Sequence, residues 1–94
     1  MSEYQVVCIR KPDRMSSHEH ITDIGVATTK GTQFLDRGRV IQMIDDKEAR
    51  FYTVDTGGKR VYVYVARVAG RHPWLQTYTD GQWSDNLLAL TECQ

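Results

Sequence analysis

The chain has 94 residues, a length typical of one small domain, and we expect a single domain over residues 1–94. Lys and Arg total 12 and Asp and Glu total 12, so the net charge is zero, which excludes the basic excess of a protein that coats duplex DNA. Apolar residues make up 40%, enough for one core, and no apolar run reaches the roughly 18 residues of a membrane span.

Two short strands are predicted in the first third of the chain. Residues 4–10 form an apolar run that ends at a Lys-Pro-Asp turn sequence. Residues 21–28 have the composition of a second strand, and Gly25 inside it indicates a bulge or a close backbone approach. A polar loop over residues 11–20 is expected to connect them.

One helix is predicted over residues 34–48. Asp36 is a suitable N-cap, and Val40, Ile41 and Ile44 fall on one side at helical spacing. A helix this short depends on packing, so its apolar side is expected to cover one face of a sheet.

Residues 51–78 hold most of the aromatic and β-branched side chains at a period of two, which predicts a meander of three strands. Gly57 and Gly58 favour a two-residue hairpin loop, because a primed turn needs the positive φ that glycine adopts freely. That loop places Val54 opposite Val61. One face, here called the valine face, would carry Tyr52, Val54, Val61, Val63 and Val65. The other, the aromatic face, would carry Phe51, Thr53, Asp55, Arg60, Tyr62 and Tyr64.

The third strand of the meander follows a five-residue connection over residues 69–73. Pairing Val68 with Trp74 extends both faces. It adds Trp74 and Tyr78 to the aromatic face, and Leu75 and Thr77 to the valine face.

The predicted fold is α+β: a mostly antiparallel sheet of about five strands in the order ββαβββ, with one helix packed on one face. A turn at residues 79–81 leads to a C-terminal tail that contains Leu87, Leu88 and Leu90. Three leucines in four residues are too apolar to remain in water, so the tail is expected to dock on the aromatic face or on the far side of the helix.

Three segments resemble a known family. They are residues 7–14 (Val-Cys-Ile-Arg-Lys-Pro-Asp-Arg), Phe51-Tyr52 with the Gly-Gly-Lys-Arg-Val hairpin, and residues 85–93 (Asp-Asn-Leu-Leu-Ala-Leu-Thr-Glu-Cys). Through them the chain resembles the domain-of-unknown-function family numbered 3892, which comprises small bacterial and phage-borne proteins. The resemblance implies one compact domain, and it assigns no activity and no catalytic residue.

The cysteines and histidines give weak signals for chemistry. We interpret Cys8 and Cys93 as unpaired thiols in a reducing cytoplasm, with a disulfide or redox pair as the alternative. His18 and His20 could join them in a zinc site, but no Cys-x-x-Cys spacing supports one, and a solvated loop is the preferred interpretation. We expect no metal and no cofactor.

The aromatic face is the strongest functional feature of the sequence. Its candidate ligand-binding residues are Arg60, Tyr62, Tyr64, Trp74 and Tyr78. The structural alternative is that other parts of the chain cover these rings as core. The preferred function is a non-enzymatic binding or adaptor module for a protein partner, because no acid, base and nucleophile occur together. The alternative is a single-stranded nucleic-acid or nucleotide binder that stacks bases on this face.

Overall fold

The structure is a computed structural model, and it describes residues 2–11, 21–79, 81–84, 87, 90 and 93. These residues form one helix and seven strands. In chain order they are β1 (Ser2–Arg10), β2 (Asp23–Thr28), β3 (Gly31–Asp36), α1 (Arg37–Asp45), β4 (Ala49–Val54), β5 (Arg60–Ala66), β6 (Trp74–Thr79) and β7 (Gln82–Ser84).

All seven strands form one sheet, in the order β3-β2-β1-β4-β5-β6-β7. β1 and β4 are parallel, and the other five neighbouring pairs are antiparallel. The α+β class and the mostly antiparallel sheet are confirmed. The prediction of five strands in the order ββαβββ is wrong, because it places residues 34–36 of β3 in the helix and the residues of β7 in the tail after the turn at 79–81. β3 is an edge strand with mostly exposed side chains and β7 has three residues, so neither carries an alternating apolar pattern.

The hairpin between β4 and β5 closes with three loop residues, which corrects the predicted two-residue loop. The Asp55 N–H donates to the Lys59 carbonyl at 3.0 Å, and the Gly58 N–H donates to the Asp55 carbonyl at 3.0 Å. Gly58 has a φ of 84°, the left-handed conformation that follows a type I turn in three-residue loops. Asp55 Oδ1 accepts from the N–H groups of Gly57 and Lys59, both at 2.9 Å, and so stabilises the longer loop.

The extra loop residue exchanges the two faces of β4 relative to the prediction. Thr53, rather than Val54, pairs with Val61. Phe51 and Thr53 are therefore buried, whereas Tyr52 and Val54 lie on the opposite face, with Val54 41% exposed. A one-residue change of register exchanges the two faces of a strand, because successive side chains point to opposite sides.

The β5–β6 register also differs from the prediction, but its faces do not. Ala66, and not Val68, pairs with Trp74. The shift is an even number of residues, so each side chain of the two strands keeps its predicted face. The sheet thus has a buried face, which carries Phe51, Thr53, Val61, Val63, Leu75 and Thr77, and an outer face on its other side.

The N-cap of helix α1 is the one that the sequence predicts. Asp36 is the N-cap, and its Oδ1 accepts from the Arg39 N–H at 2.8 Å. The helix is shorter than the predicted 34–48 at both ends, because residues 34–36 belong to β3 and Lys47 adopts a φ of 59°. The Lys47 N–H donates to the Ile44 carbonyl at 3.1 Å, and the next N–H reaches back to Met43 at 2.9 Å, the double bond of a Schellman ending.

The core lies between the buried face and α1, with part of the tail. Phe51 is the largest fully buried side chain, and it stacks on Tyr4 with ring centroids 5.7 Å apart. Val40 of α1 and Leu87 of the tail belong to the same buried cluster, and Leu90 packs against it. The tail therefore docks in the core, not on either predicted location; Leu88 lies outside the described residues. No helix in the described part of the chain is long and apolar enough to cross a membrane.

Candidate aromatic binding surface

All five predicted site residues lie on the outer face, in β5 and β6. Tyr64 is 47% exposed and Tyr78 is 39% exposed, whereas Tyr62 and Trp74 are half-buried. The indole N–H of Trp74 donates to Gln76 Oε1 at 3.0 Å, so its polar edge is already bonded. The strands bring the five side chains to one face, as the alternation predicts.

Three of the exposed rings form a continuous group, here called the aromatic patch: Tyr64, Tyr78 and Trp83. The Tyr64 and Tyr78 ring centroids are 6.0 Å apart at 83°, and those of Tyr78 and Trp83 are 5.1 Å apart at 79°. Both contacts are edge-to-face, the arrangement that aromatic quadrupoles favour. Trp83 is 47% exposed, so the patch offers both ring faces and edges to solvent.

Two aromatic residues of the outer face, Trp83 and Tyr52, were not predicted from the sequence. Trp83 follows an Asp-Gly dipeptide, a strong hairpin signal, and pairs with Tyr78 across the turn. Tyr52 was not predicted because the predicted register of β4 places it on the valine face. Its ring centroid lies 6.0 Å from that of Tyr62. Phe51, which the prediction places on the aromatic face, is in the core.

The Arg60 side chain is engaged by neighbouring residues rather than available to a ligand. Its Nη1 donates to Glu3 Oε1 at 3.0 Å, and its guanidinium carbon lies 4.4 Å from the centroid of the Tyr52 ring. The Tyr62 hydroxyl donates to the same Glu3 oxygen at 3.0 Å. A hydrogen bond with Tyr62 raises the pKa of Arg60 above its usual value, and Tyr52 and Glu3 act in the same direction. This group therefore braces β1 against β4 and β5.

A cavity of about 480 Å³ lies between β4 and β5. Register pairs between these strands end at Tyr52 with Tyr62, so the edges beyond that pair diverge. Its lining consists of Ile44, Lys47, Ala49, Arg50, Tyr62, Val63 and Tyr64. The cavity thus joins the outer face to the end of α1, and its lining combines rings with two cations.

Cys8 and Cys93 form a disulfide, with Cα atoms 5.0 Å apart, which corrects the interpretation of two unpaired thiols. The Cys93 N–H donates to the Ile9 carbonyl at 2.8 Å, so the tail is bonded along β1. A Cβ at Gly25 would clash with Cys8 Sγ and lie 3.2 Å from Cys93 Sγ, so the disulfide side chains, rather than the predicted backbone, approach this glycine closely. The bulge itself falls in β1, between Val6 and Cys8.

The disulfide also changes the chemistry available at these positions. A bonded cysteine holds no thiolate to act as a nucleophile or metal ligand. His18 and His20 lie outside the described residues, and within the described ranges no group of three potential metal ligands occurs. The Asp45 carboxylate, at the end of α1, forms a salt bridge with Arg67, with Oδ2 and Nη2 2.6 Å apart.

Fold and surface together define a small α+β protein with one packed sheet face and one that carries exposed rings. The chain belongs to the family of proteins of unknown function DUF3892, whose family model matches residues 5–91. No curated protein and no solved structure matches the chain.

Proposed function

We propose that this protein is a non-enzymatic binding module that holds a protein partner on its outer sheet face. The observation that carries the proposal is the aromatic patch of Tyr64, Tyr78 and Trp83, each between 39% and 47% exposed. Helix α1, Leu87 and Leu90 pack in the core on the buried face, and within the described ranges no element covers the patch.

A protein partner suits the chemistry of this surface. Tyrosine and tryptophan are the residues that most often dominate protein–protein binding energy, since each buries a large rigid surface with one polar atom. The patch itself is made of uncharged side chains, as the centres of such interfaces usually are.

Single-stranded nucleic acid, the alternative from the sequence, has less support at the patch. Stacked bases need cations along the backbone path, and Arg60, the predicted cation, is bound by Glu3 and lies over Tyr52. The net charge of zero adds no general attraction for polyphosphate.

Setting and location are further parts of the proposal. The resemblance supplies a bacterial or phage setting, and a cytoplasmic location stays a prediction from sequence. The cytoplasmic prediction depends on two free thiols. The disulfide weakens it, because disulfides are typical of oxidising compartments. The oxidation state of the two cysteines in cells would distinguish these locations.

Photocrosslinking followed by affinity measurement tests the proposed surface. A benzoylphenylalanine at position 78 should crosslink to a protein in the native cells, whereas one at Val68, 52% exposed in a distant connection, should not. With that partner purified, Trp83→Ser should weaken binding about 30-fold, the loss of one hot-spot side chain, and Val68→Ser should change it less than about twofold.

The outcomes separate the two classes of partner. Crosslinks to nucleic acid at position 78 would favour the alternative function. Equal loss of affinity in Trp83→Ser and Val68→Ser, with both variants folded by circular dichroism, would show that the patch is not the binding surface.

A further inference from the structure

The cavity between β4 and β5 combines features that the proposed protein-binding function does not use. Its volume of about 480 Å³ lies within the range of small-molecule sites, roughly 300–1,000 Å³. Ile44, Ala49 and Val63 form the apolar part of the lining, here called the apolar floor, and Tyr64, which also lines the cavity, is 47% exposed. An apolar floor with a few polar groups at the rim is the usual composition of a ligand site.

Both charged groups in the lining are cations. Lys47 comes from the end of α1 and Arg50 from β4, so two separate elements bring positive charge to one cavity. Three carboxylates adjoin this segment and none of them lines the cavity. Asp45 binds Arg67 at 2.6 Å, and Glu48 binds Arg39 at 3.6 Å. The third is Asp46, the C-cap residue of α1. The lining therefore attracts a negative group, which Arg50 can hold through two parallel hydrogen bonds.

The backbone of Lys47 gives an independent reason to assign a role to this residue. Its φ of 59° makes it the one non-glycine residue with positive φ in the described part of the chain. Glycine is the common residue at this position of a Schellman ending, because other residues are strained there by roughly 1 kcal/mol. Strained residues cluster at functional sites, and here the strain projects a lysine from the helix end into the lining of the cavity.

We infer that this cavity binds a small planar organic anion. Its phosphate or carboxylate lies between Lys47 and Arg50, and its ring lies against Tyr64 above the apolar floor. The inference goes beyond the proposed protein partner, because the ligand is a small molecule and the two cations lie outside the aromatic patch; Tyr64 alone belongs to both the patch and the cavity lining.

A nitrogen-15 correlation NMR titration tests this site with three probes: adenosine 5′-monophosphate, 4-hydroxybenzoate and inorganic phosphate. Shift changes should concentrate at residues 47–50 and 62–64, with a Kd of about 0.1–1 mM for at least one ring-bearing anion. The two ring-bearing probes distinguish a phosphate from a carboxylate ligand. Inorganic phosphate should bind at least about tenfold more weakly, since it cannot use Tyr64 or the floor.

Two variants at one position separate binding from folding. Lys47→Gly should raise the Tm by a few degrees, because the strain is relieved, and should weaken the ring-bearing probe about tenfold or more. Lys47→Met should weaken it equally without the gain in Tm. Lys30→Met, which removes an exposed lysine from the β2–β3 turn, is the matched control and should change the Kd less than about twofold.

Three results would each overturn the inference. One is the absence of shift changes at about 10 mM of all three probes. Another is phosphate binding as tight as that of the ring-bearing probes, and the third is an equal effect of Lys30→Met and Lys47→Met. None of these results depends on Trp83, which does not line the cavity, so the Trp83→Ser variant with a protein partner tests the proposed function separately.

Discussion

Phe51→Ala is expected to lower the free energy of unfolding by about 3–5 kcal/mol. Phe51 is fully buried and stacks on Tyr4, and it joins α1 and the tail to the centre of the sheet. Truncation removes the buried ring and leaves a cavity that the surrounding strands cannot fill. Urea unfolding followed by circular dichroism measures the loss, which is a large fraction of the stability of a small domain.

Phe34→Ala is the matched control for this prediction. Phe34 is 43% exposed on the outer face of β3, and its main partner is the Arg10 guanidinium, 4.1 Å from the ring centroid. We expect a loss of about 1 kcal/mol or less. If the two variants were equally stable, Phe51 would not be in the core, and the register of the β4–β5 hairpin would be the one the sequence suggested.

Cys93→Ser is expected to cost about 4–5 kcal/mol of stability under oxidising conditions, or roughly 20 °C in Tm. The disulfide joins residues separated by 85 positions, and a cross-link over so long a loop removes much conformational freedom from the unfolded chain. It also fastens the tail beside β1, where Leu87 completes the core.

Reduction of the wild-type protein provides the comparison for this variant. Dithiothreitol should lower the Tm of the wild type to nearly that of Cys93→Ser, and should leave Cys93→Ser unchanged. Cys8→Ser should behave in the same way, since either substitution breaks the same bond. A wild-type Tm that does not respond to reduction would mean that Cys8 and Cys93 are not linked in solution.

The sequence predicted the faces of β5 and β6 because their residues alternate without interruption. The predicted faces of β4 were wrong because two adjacent glycines allow either a two-residue or a three-residue loop. The composition of β4 also favours the wrong register. Thr53 is polar yet buried, and its Oγ1 has no hydrogen-bond partner among the described residues, whereas Val54 is apolar yet exposed. The information that decides the register is the bonding of Asp55 within the turn.

Other features depend on contacts between distant parts of the chain, which composition and spacing do not encode. The disulfide forms because the tail returns to β1, so the pairing of Cys8 with Cys93 requires the fold. The cavity exists because the β4–β5 ladder ends at Tyr52 and Tyr62, and no sequence pattern marks where a ladder opens. The aromatic patch, in contrast, was largely predicted, because alternation in neighbouring strands places rings on one face.

The central claim is that the outer sheet face presents the aromatic patch to solvent while the opposite face is packed. Hydroxyl-radical footprinting of the purified protein, read residue by residue by mass spectrometry, tests it most directly. We expect Tyr64, Tyr78 and Trp83 to be oxidised readily, since each is 39–47% exposed, and Phe51 to be strongly protected relative to the urea-unfolded chain. Protection of the three patch residues at the lowest protein concentration that can be measured, together with oxidation of Phe51, would contradict the account.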